Sequence, residues 1–99
     1  MIELTQEQQR VVREILSRII PGRRVLVFGS RITGTAKPYS DLDLAIMGDN
    51  PITVRTLRRL RDAFDDSGLP FQVDLVDWAA TGEDFRKIIM HSAVEWGKF

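Results

Sequence analysis

The chain has no cysteine among its 99 residues, so it can form neither a disulfide framework nor a thiolate metal site. It has no excess of either charge, because acidic and basic residues balance at 14 each. A neutral chain lacks the broad positive field of a protein that binds duplex nucleic acid. No apolar run of membrane-spanning length and no basic-then-apolar leader segment is visible. We therefore expect a cytoplasmic protein that binds neither a membrane nor duplex nucleic acid.

The composition is that of a globular domain. Apolar residues make up 43% and charged residues 28% of the chain, which indicates neither disorder nor a membrane protein. A chain of this length builds one core, so we expect residues 1–99 to form a single domain. It is too small for a second domain that closes over a ligand. A large substrate must therefore bring its own surface.

The hydrophobic pattern predicts alternating helices and strands. Thr5 and Gln8 form a possible capping box, and apolar residues then recur at helical spacing until Pro21. Strand-like apolar runs occupy residues 25–28, 40–47 and 71–77, with a loop or short helical turn at 31–40. The predicted order is α-β-α-β-α-β-α. This order is typical of an α/β (α+β) fold in which helices flank a small mixed sheet.

The two later helices are predicted from their caps and apolar faces. Asp49 or Asn50 is a cap candidate with Pro51 at the first helical position, and Thr81 with Asp84 is predicted to cap the last helix. The predicted buried positions are Val54, Leu57, Leu60 and Phe64 in the first of these helices and Phe85, Ile88 and Ile89 in the second. Residues 94–99 are ambiguous between packing on the sheet edge and contacting another molecule.

Three aspartates on predicted strands indicate a metal site. Side chains alternate along a strand, so Asp41 and Asp43 share one face while Leu42 and its alternate neighbours enter the core. Asp74, between two apolar residues, repeats the pattern on the next strand. At about 4 Å and an effective dielectric near 20, each like-charged pair would cost roughly 4 kcal/mol. A divalent cation removes that cost, and carboxylate oxygens suit Mg²⁺. The sequence therefore predicts Asp41, Asp43 and Asp74 as ligands of a pair of Mg²⁺ ions.

A phosphate-binding turn is predicted just upstream. Gly29 follows an apolar strand, where a glycine lets the backbone approach a ligand and aim free N–H groups at phosphate oxygens. Ser30 adds a hydroxyl, while Arg31 and Lys37 can add positive charge. We expect Gly29, Ser30 and Arg31 to bind a nucleotide.

Taken together, these motifs resemble the DNA polymerase β-like nucleotidyltransferase superfamily. Gly29-Ser30, ten intervening residues, then Asp41-Leu42-Asp43 and a later Asp74 match its signature, and the segment 29–44 is similar to the minimal nucleotidyltransferase (MNT) group. The resemblance implies that Gly29 and Ser30 hold a nucleoside triphosphate. It also implies that Asp41 and Asp43 bind two metals and that Asp74 completes a catalytic triad.

The same resemblance implies a function. Many MNT proteins are antitoxins encoded beside a HEPN-domain ribonuclease toxin, which they silence by transferring AMP from ATP to a tyrosine hydroxyl. The expectation is thus Mg²⁺-dependent AMP transfer to a protein hydroxyl, with ATP as substrate and a HEPN toxin as partner. Larger relatives that modify aminoglycosides carry an extra helical domain, which we do not expect in a chain of this length. Two alternatives stay open: an inactive antitoxin that acts by binding, and a transferase for small molecules.

Other polar and aromatic residues admit two interpretations. Tyr39 can stack on a base or ribose, or pack within its loop. Asp77 is predicted to cap a turn rather than bind metal, because it faces away from Asp74. His91 is predicted to be a capping or half-buried residue. The arginines of the third helix form either a basic patch or i, i+4 pairs, which would be Arg58 with Asp62 and Arg61 with Asp65.

Overall fold

The chain follows the predicted order of helices and strands and adds one strand near its C-terminus. The structure is a computed structural model that describes residues 2–99. Its elements are α1 (Gln6–Ile19), β1 (Arg24–Phe28), α2 (Ser30–Thr33), β2 (Leu42–Ile46), α3 (Val54–Asp65), β3 (Val73–Asp77), α4 (Glu83–Ser92) and β4 (Val94–Lys98), with a 3₁₀ turn at Trp78–Ala80. Among these residues, none of the helices combines the length and apolarity needed to cross a bilayer.

The four strands form one mixed sheet in the order β3-β2-β1-β4. Strand β1 pairs antiparallel with both β2 and β4, whereas β2 and β3 run parallel. A parallel pair needs a crossover connection, and α3 supplies it between β2 and β3. The predicted α/β class with a small mixed sheet is confirmed.

The two faces of the sheet are covered unequally. Helices α1 and α3 cover one face, where Leu16 and Leu60 are fully buried against Leu42 and Leu44. Only α4 covers the other face, through Ile89, which packs in a smaller cluster of strand residues. Because side chains alternate along β2, Asp43 lies on the α4 face, opposite to Leu42 and Leu44. The less covered face is therefore the one that carries the predicted site.

The first helix begins as predicted, and the third begins later. Thr5 and Gln8 form the capping box of α1. The predicted start of the third helix at Pro51 is wrong, because Thr53 is the N-cap and accepts a hydrogen bond from the backbone N–H of Thr56. Val54, predicted to be buried, is consequently 82% exposed in the first turn of α3. Further along that helix, Leu60 and Phe64 are buried as expected and Leu57 is half-buried.

The predicted cap and apolar face of α4 need correction. Gly82 is its N-cap, while the hydroxyl of Thr81 donates to the carbonyl of Asp77 at 2.6 Å. Ile89 is fully buried, but Ile88 is 64% exposed and Phe85 is 42% exposed. The helix meets the sheet through Ile89 and, one turn earlier, through the edge-on contact of Phe85 with Phe28 of β1.

The tail, whose structure the sequence left ambiguous, packs on the sheet edge. Strand β4 pairs with β1 through a bulge beside Val25 and Leu26, and Arg24 forms an ion pair with Glu95 at 2.6 Å. The rings of Trp96 and Phe99 meet edge to face and pack against the larger core.

The arginines of α3 are solvent-exposed. Among residues 2–99, Arg58 and Arg61 make no ion pair with the aspartates four positions later. The predicted i, i+4 pairs are therefore not formed.

Substitution of two adjacent isoleucines tests this placement of α4. Ile89→Ala should lower the free energy of unfolding by about 2–4 kcal/mol, because it empties a fully buried position. Ile88→Ala should change it by less than about 0.5 kcal/mol, because its side chain is mostly in solvent. Urea unfolding of both variants measures the difference. The reverse ranking would restore the face predicted from the sequence.

Candidate active site

The sheet brings the three predicted carboxylates together. Asp43 and Asp74 are direct cross-strand partners in the parallel pair of β2 and β3, and Asp41 lies one residue before β2 begins. Asp41 and Asp74 are exposed, whereas Asp43 is half-buried. On the other side of β2, Asp43 pairs with Phe28, the last residue of β1. The site therefore lies where β2 and β3 begin and β1 ends.

The carboxylates perturb one another. Burial, followed by the negative charges of Asp74 and Asp41, raises the pKa of Asp43 from 3.8 to about 6. The pKa of Asp74 is also raised, first by burial and then by the charge of Asp41. The charges of Asp74 and Asp41 both act on Asp43, and the charge of Asp41 acts on Asp74. The cluster therefore carries unrelieved like-charge repulsion.

The donor set fits Mg²⁺ bound together with phosphates. Within residues 2–99, no group of three or more acidic, histidine or cysteine side chains is arranged so that it could hold a metal ion by itself. Asp43 and Asp74 are nevertheless cross-strand partners, and burial together with the charge of Asp41 raises the pKa of both. Magnesium is usually held by one or two carboxylates plus substrate phosphates, so an open cluster of this kind matches its preference.

Gly29 joins the phosphate turn to the carboxylates. Its φ of 82° is in the region that favours glycine, and its carbonyl accepts from the backbone N–H groups of Ile32 and Thr33 as α2 begins. A Cβ at this position would overlap the Oδ2 atom of Asp43. The backbone at Gly29 therefore lies directly against one of the carboxylates, with half-buried Ser30 next to it. Gly29, Ser30 and the acidic cluster form one continuous surface.

The structure gives Arg31 other partners than the carboxylates. Arg31 is 5% exposed, and its guanidinium donates to backbone carbonyls of Ser40 at 2.8 and 3.0 Å, of Glu3 at 2.8 Å and of Pro38 at 3.1 Å. It also lies 4.2 Å from the centre of the Phe71 ring. Its side chain therefore ties the loop before Asp41 to the N-terminal segment and to the segment before β3. An arginine just after a phosphate turn predicts anion binding, and no sequence signal indicates this buried position.

The structure also places the other residues whose roles the sequence left open. Tyr39 is 77% exposed, so it is not packed within its loop, and it lines a hollow of about 650 Å³ together with Asp41. Asp77 holds the segment before α3, because its Oδ2 atom accepts from the backbone N–H of Ile52 at 2.8 Å. Asp77 precedes the 3₁₀ turn at Trp78–Ala80, but its side chain makes no capping hydrogen bond to that turn, so the predicted capping is wrong. His91 lies in the last turn of α4 and is exposed, so the prediction that it is half-buried is wrong.

One aromatic contact at the site was not predicted from the sequence. Phe85 of α4 packs edge-on against Phe28, with ring centres 6.3 Å apart. Phe28 is the cross-strand partner of Asp43, so this pair bounds the site on the β1 side. Phe85 lies on a helix, and Phe28 ends a strand much earlier in the chain. No sequence pattern indicates that two such residues are in contact.

Comparison with solved structures shows the same fold. A toxin-antitoxin with AMP-PNP superposes with a TM-score of 0.74 at 24% identity, covering 91% of this chain and 73% of that one. A tri-AMPylated Shewanella oneidensis HEPN toxin in complex with MNT antitoxin gives a TM-score of 0.65 at 23% identity, covering 91% of this chain and 72% of the matched chain. The fold predicted from the resemblance is thus confirmed.

Sequence comparison gives the family. The chain is 48% identical over 88 residues to a Haemophilus influenzae protein named probable protein adenylyltransferase MntA, covering 89% of this chain and 77% of that protein. Residues 5–95 match the family described as polymerase beta, nucleotidyltransferase. This match spans the phosphate turn and all three carboxylates. The chain therefore belongs to the polymerase beta nucleotidyltransferase family and is a nucleotidyltransferase.

Proposed function

We propose that this chain is an Mg²⁺-dependent protein adenylyltransferase that transfers AMP from ATP to a tyrosine hydroxyl of a HEPN toxin, and so acts as its antitoxin. The observation that carries the proposal is the contact of the Gly29 turn with a cluster of three carboxylates whose repulsion a cation would relieve. The name of the Haemophilus influenzae relative and the AMPylated toxin bound to an MNT antitoxin support it. In this proposal residues 1–99 act as one catalytic domain.

The proposed reaction makes one bond to phosphorus and breaks another, and the acceptor hydroxyl loses its proton. The acceptor hydroxyl oxygen bonds to the α-phosphorus of ATP, the bond from that phosphorus to the α,β-bridging oxygen breaks, and pyrophosphate leaves. Asp41, Asp43 and Asp74 would hold the Mg²⁺ ions, which when bound neutralise charge on the phosphates and on the attacking and leaving oxygens. Gly29 and Ser30 would bind the phosphates through backbone N–H groups and the hydroxyl.

Asp74 is the proposed proton acceptor. It is the most exposed strand-borne carboxylate of the cluster, and a raised pKa makes a carboxylate a better base than a free aspartate. The proton of the acceptor hydroxyl would pass to this carboxylate and then to water. Asp43, half-buried between Asp74 and the Gly29 turn, is better placed to bind metal than to exchange protons with solvent.

Arg31 is proposed to position the site rather than to bind phosphate. Its N–H groups already donate to carbonyls of the loop that precedes Asp41 and to a carbonyl of the N-terminal segment. A buried guanidinium with this many partners has little freedom to reach a ligand. We infer that it fixes the path of the chain into β2 and so the direction in which Asp41 points.

Neutralising the carboxylates tests the proposed chemistry. With labelled ATP, Mg²⁺ and the protein encoded beside this chain, wild-type protein should label that neighbour. Asp41→Asn and Asp43→Asn should each lower the rate of labelling by about 10²-fold or more, because each removes a charged ligand. Asp49→Asn, an exposed aspartate at the other end of β2, is the matched control and should label normally. Equal labelling by the two site variants would refute the mechanism.

The same variants separate transfer from simple binding. If Asp41→Asn neutralises the partner fully at equal concentration, the chain is a binding antitoxin and not a catalytic one. If free small hydroxyl compounds are labelled without a protein partner, the acceptor class is a small molecule.

A pH dependence of stability follows from Asp43. Because the pKa of Asp43 is raised from 3.8 to about 6, the folded chain binds this proton more tightly than the unfolded chain does. The stability that this tighter proton binding contributes is therefore fully present below about pH 4, and it is lost as the pH rises through about 6. Without metal, Asp43→Asn should raise the free energy of unfolding at about pH 7.5 by about 1–2 kcal/mol, allowing for partial exposure.

Urea unfolding in the presence of a chelator measures this effect. The gain from Asp43→Asn should nearly vanish at about pH 3.5, where Asp43 is protonated in both states. A variant that is less stable than wild type at about pH 7.5 would contradict the proposed repulsion. Asp49→Asn should change the free energy of unfolding by less than about 0.5 kcal/mol at either pH.

Arg31→Lys tests the positioning role. A lysine keeps the charge but cannot donate to all of these carbonyls, so the free energy of unfolding should fall by about 1–3 kcal/mol. The KM for ATP, measured where the variant is fully folded, should change by less than about threefold. Arg59→Lys, on the exposed face of α3, should change neither quantity. Loss of ATP affinity at unchanged stability would instead make Arg31 a phosphate ligand.

A further inference from the structure

The direction from which the acceptor arrives follows from the order of the strands. In phosphoryl-group transfer the attacking and leaving oxygens lie roughly in line on opposite sides of the phosphorus. The phosphate turn, which would hold the leaving pyrophosphate, follows β1, whereas Asp74 lies on β3. Strand β2 with Asp43 lies between them. The acceptor must therefore approach from the β3 side of the sheet.

A groove opens beside Asp41, which is the one carboxylate of the cluster among its lining residues. One hollow of about 650 Å³ has Asp41 in its wall and is otherwise lined by the end of α3, the segment before β3 and Tyr39. A second hollow, of about 530 Å³, lies beside the first and reaches the start of α1. Tyr39 and Pro70 line both hollows. We call the two hollows together the Tyr39 groove.

The shape of the Tyr39 groove favours a polypeptide. A nucleoside fits within one hollow of this size. The second hollow extends away from the carboxylates past Tyr39, toward Leu4 and Gln8. A nucleotide with its nucleoside in the first hollow and its phosphates at the carboxylates has no group left to fill the second. Strand β3 is also an edge strand, so its outer backbone groups are not paired with another strand. An elongated segment can occupy both hollows and reach Asp41 at one end.

The charge of the Tyr39 groove favours a basic occupant. Its acidic side chains, Asp41, Asp65 and Glu3, are exposed, and among the described residues none of them has an ion-pair partner. The only basic residue that lines it within residues 2–99 is Arg31, whose guanidinium is buried and bonded to carbonyls. The proposed metal ions would neutralise Asp41, but Asp65 and Glu3 lie outside the carboxylate cluster and would attract a segment that carries lysine or arginine.

We propose that the Tyr39 groove is the docking site for the acceptor protein, and that it binds a basic, hydroxyl-bearing segment whose tyrosine-sized side chain enters the hollow beside Asp41. The proposal rests on the proposed function, since it places the acceptor of that reaction. Tyr39 supplies an exposed aromatic contact of the kind that dominates protein interfaces. Asp65 and Glu3 supply the complementary charge.

Two variants and two matched controls test the groove. Tyr39→Ala removes the aromatic contact, and Asp65→Lys reverses one of its charges. Val54→Ala and Asp49→Lys make corresponding changes at exposed positions at the other end of the domain. The protein encoded beside this chain serves as acceptor. Initial rates of AMP transfer give the KM for acceptor and for ATP, and a titration without ATP gives the affinity for the acceptor.

Both groove variants should weaken acceptor binding selectively. Tyr39→Ala should raise the KM for the acceptor about tenfold, and Asp65→Lys should raise it about fivefold, with the latter effect shrinking at about 0.5 M salt. The KM for ATP should stay within about twofold, and both controls should behave as wild type. An unchanged KM for the acceptor would overturn the proposal. A raised KM for ATP alone would assign the groove to the nucleoside instead.

Failure of the proposed function gives a different result. In that case wild-type protein transfers no label to the acceptor under any condition. The titration still decides the groove, because unchanged acceptor affinity in Tyr39→Ala and Asp65→Lys overturns the docking site whether or not transfer occurs.

Discussion

The repulsion among three carboxylates is the constraint on which the rest of the site depends. Two neighbouring strands place Asp43 and Asp74 side by side, and the buried side chains on the opposite face of β2 keep that strand from moving away. The backbone of Gly29 closes the remaining side, where even a methyl group would displace Asp43. The core thus stabilises a charge arrangement that is unfavourable by itself. Sites that bind phosphates and cations commonly have this character, because the ligand supplies the missing charge.

The unequal covering of the sheet explains how so short a chain can present a site. Helices α1 and α3 supply most of the buried apolar surface on one face. The other face needs only the narrow contact of α4 around Ile89, so its carboxylate end stays open. Phe85 and Phe28 bound this opening on one side, and the loop that Arg31 fastens bounds it on another. One face of the sheet thus supplies most of the buried core, while the other face leaves the carboxylates accessible.

Much of the fold and the acidic cluster could be predicted from sequence because they depend on local periodicity and spacing. Alternation along β2 is enough to separate Asp43 from Leu42, and the Thr5 capping box is a local signal. The errors concern tertiary contacts. Whether Ile88 or Ile89 faces the sheet depends on the rotation of α4, and the start of α3 depends on a hydrogen bond from Ile52 to distant Asp77. The burial of Arg31 likewise depends on carbonyls that converge only in the folded chain.

The position of Asp74 on an edge strand has a second consequence, for self-association. An open edge of a sheet is a template onto which another copy can add a strand, and proteins commonly guard such edges with charge. Strand β3 alternates Val73, Leu75 and Asp77 with Asp74 and Val76, so its acids interrupt an otherwise apolar ribbon. The carboxylate that is proposed as proton acceptor is thus also an exposed charge on this edge, of the kind that disfavours strand addition.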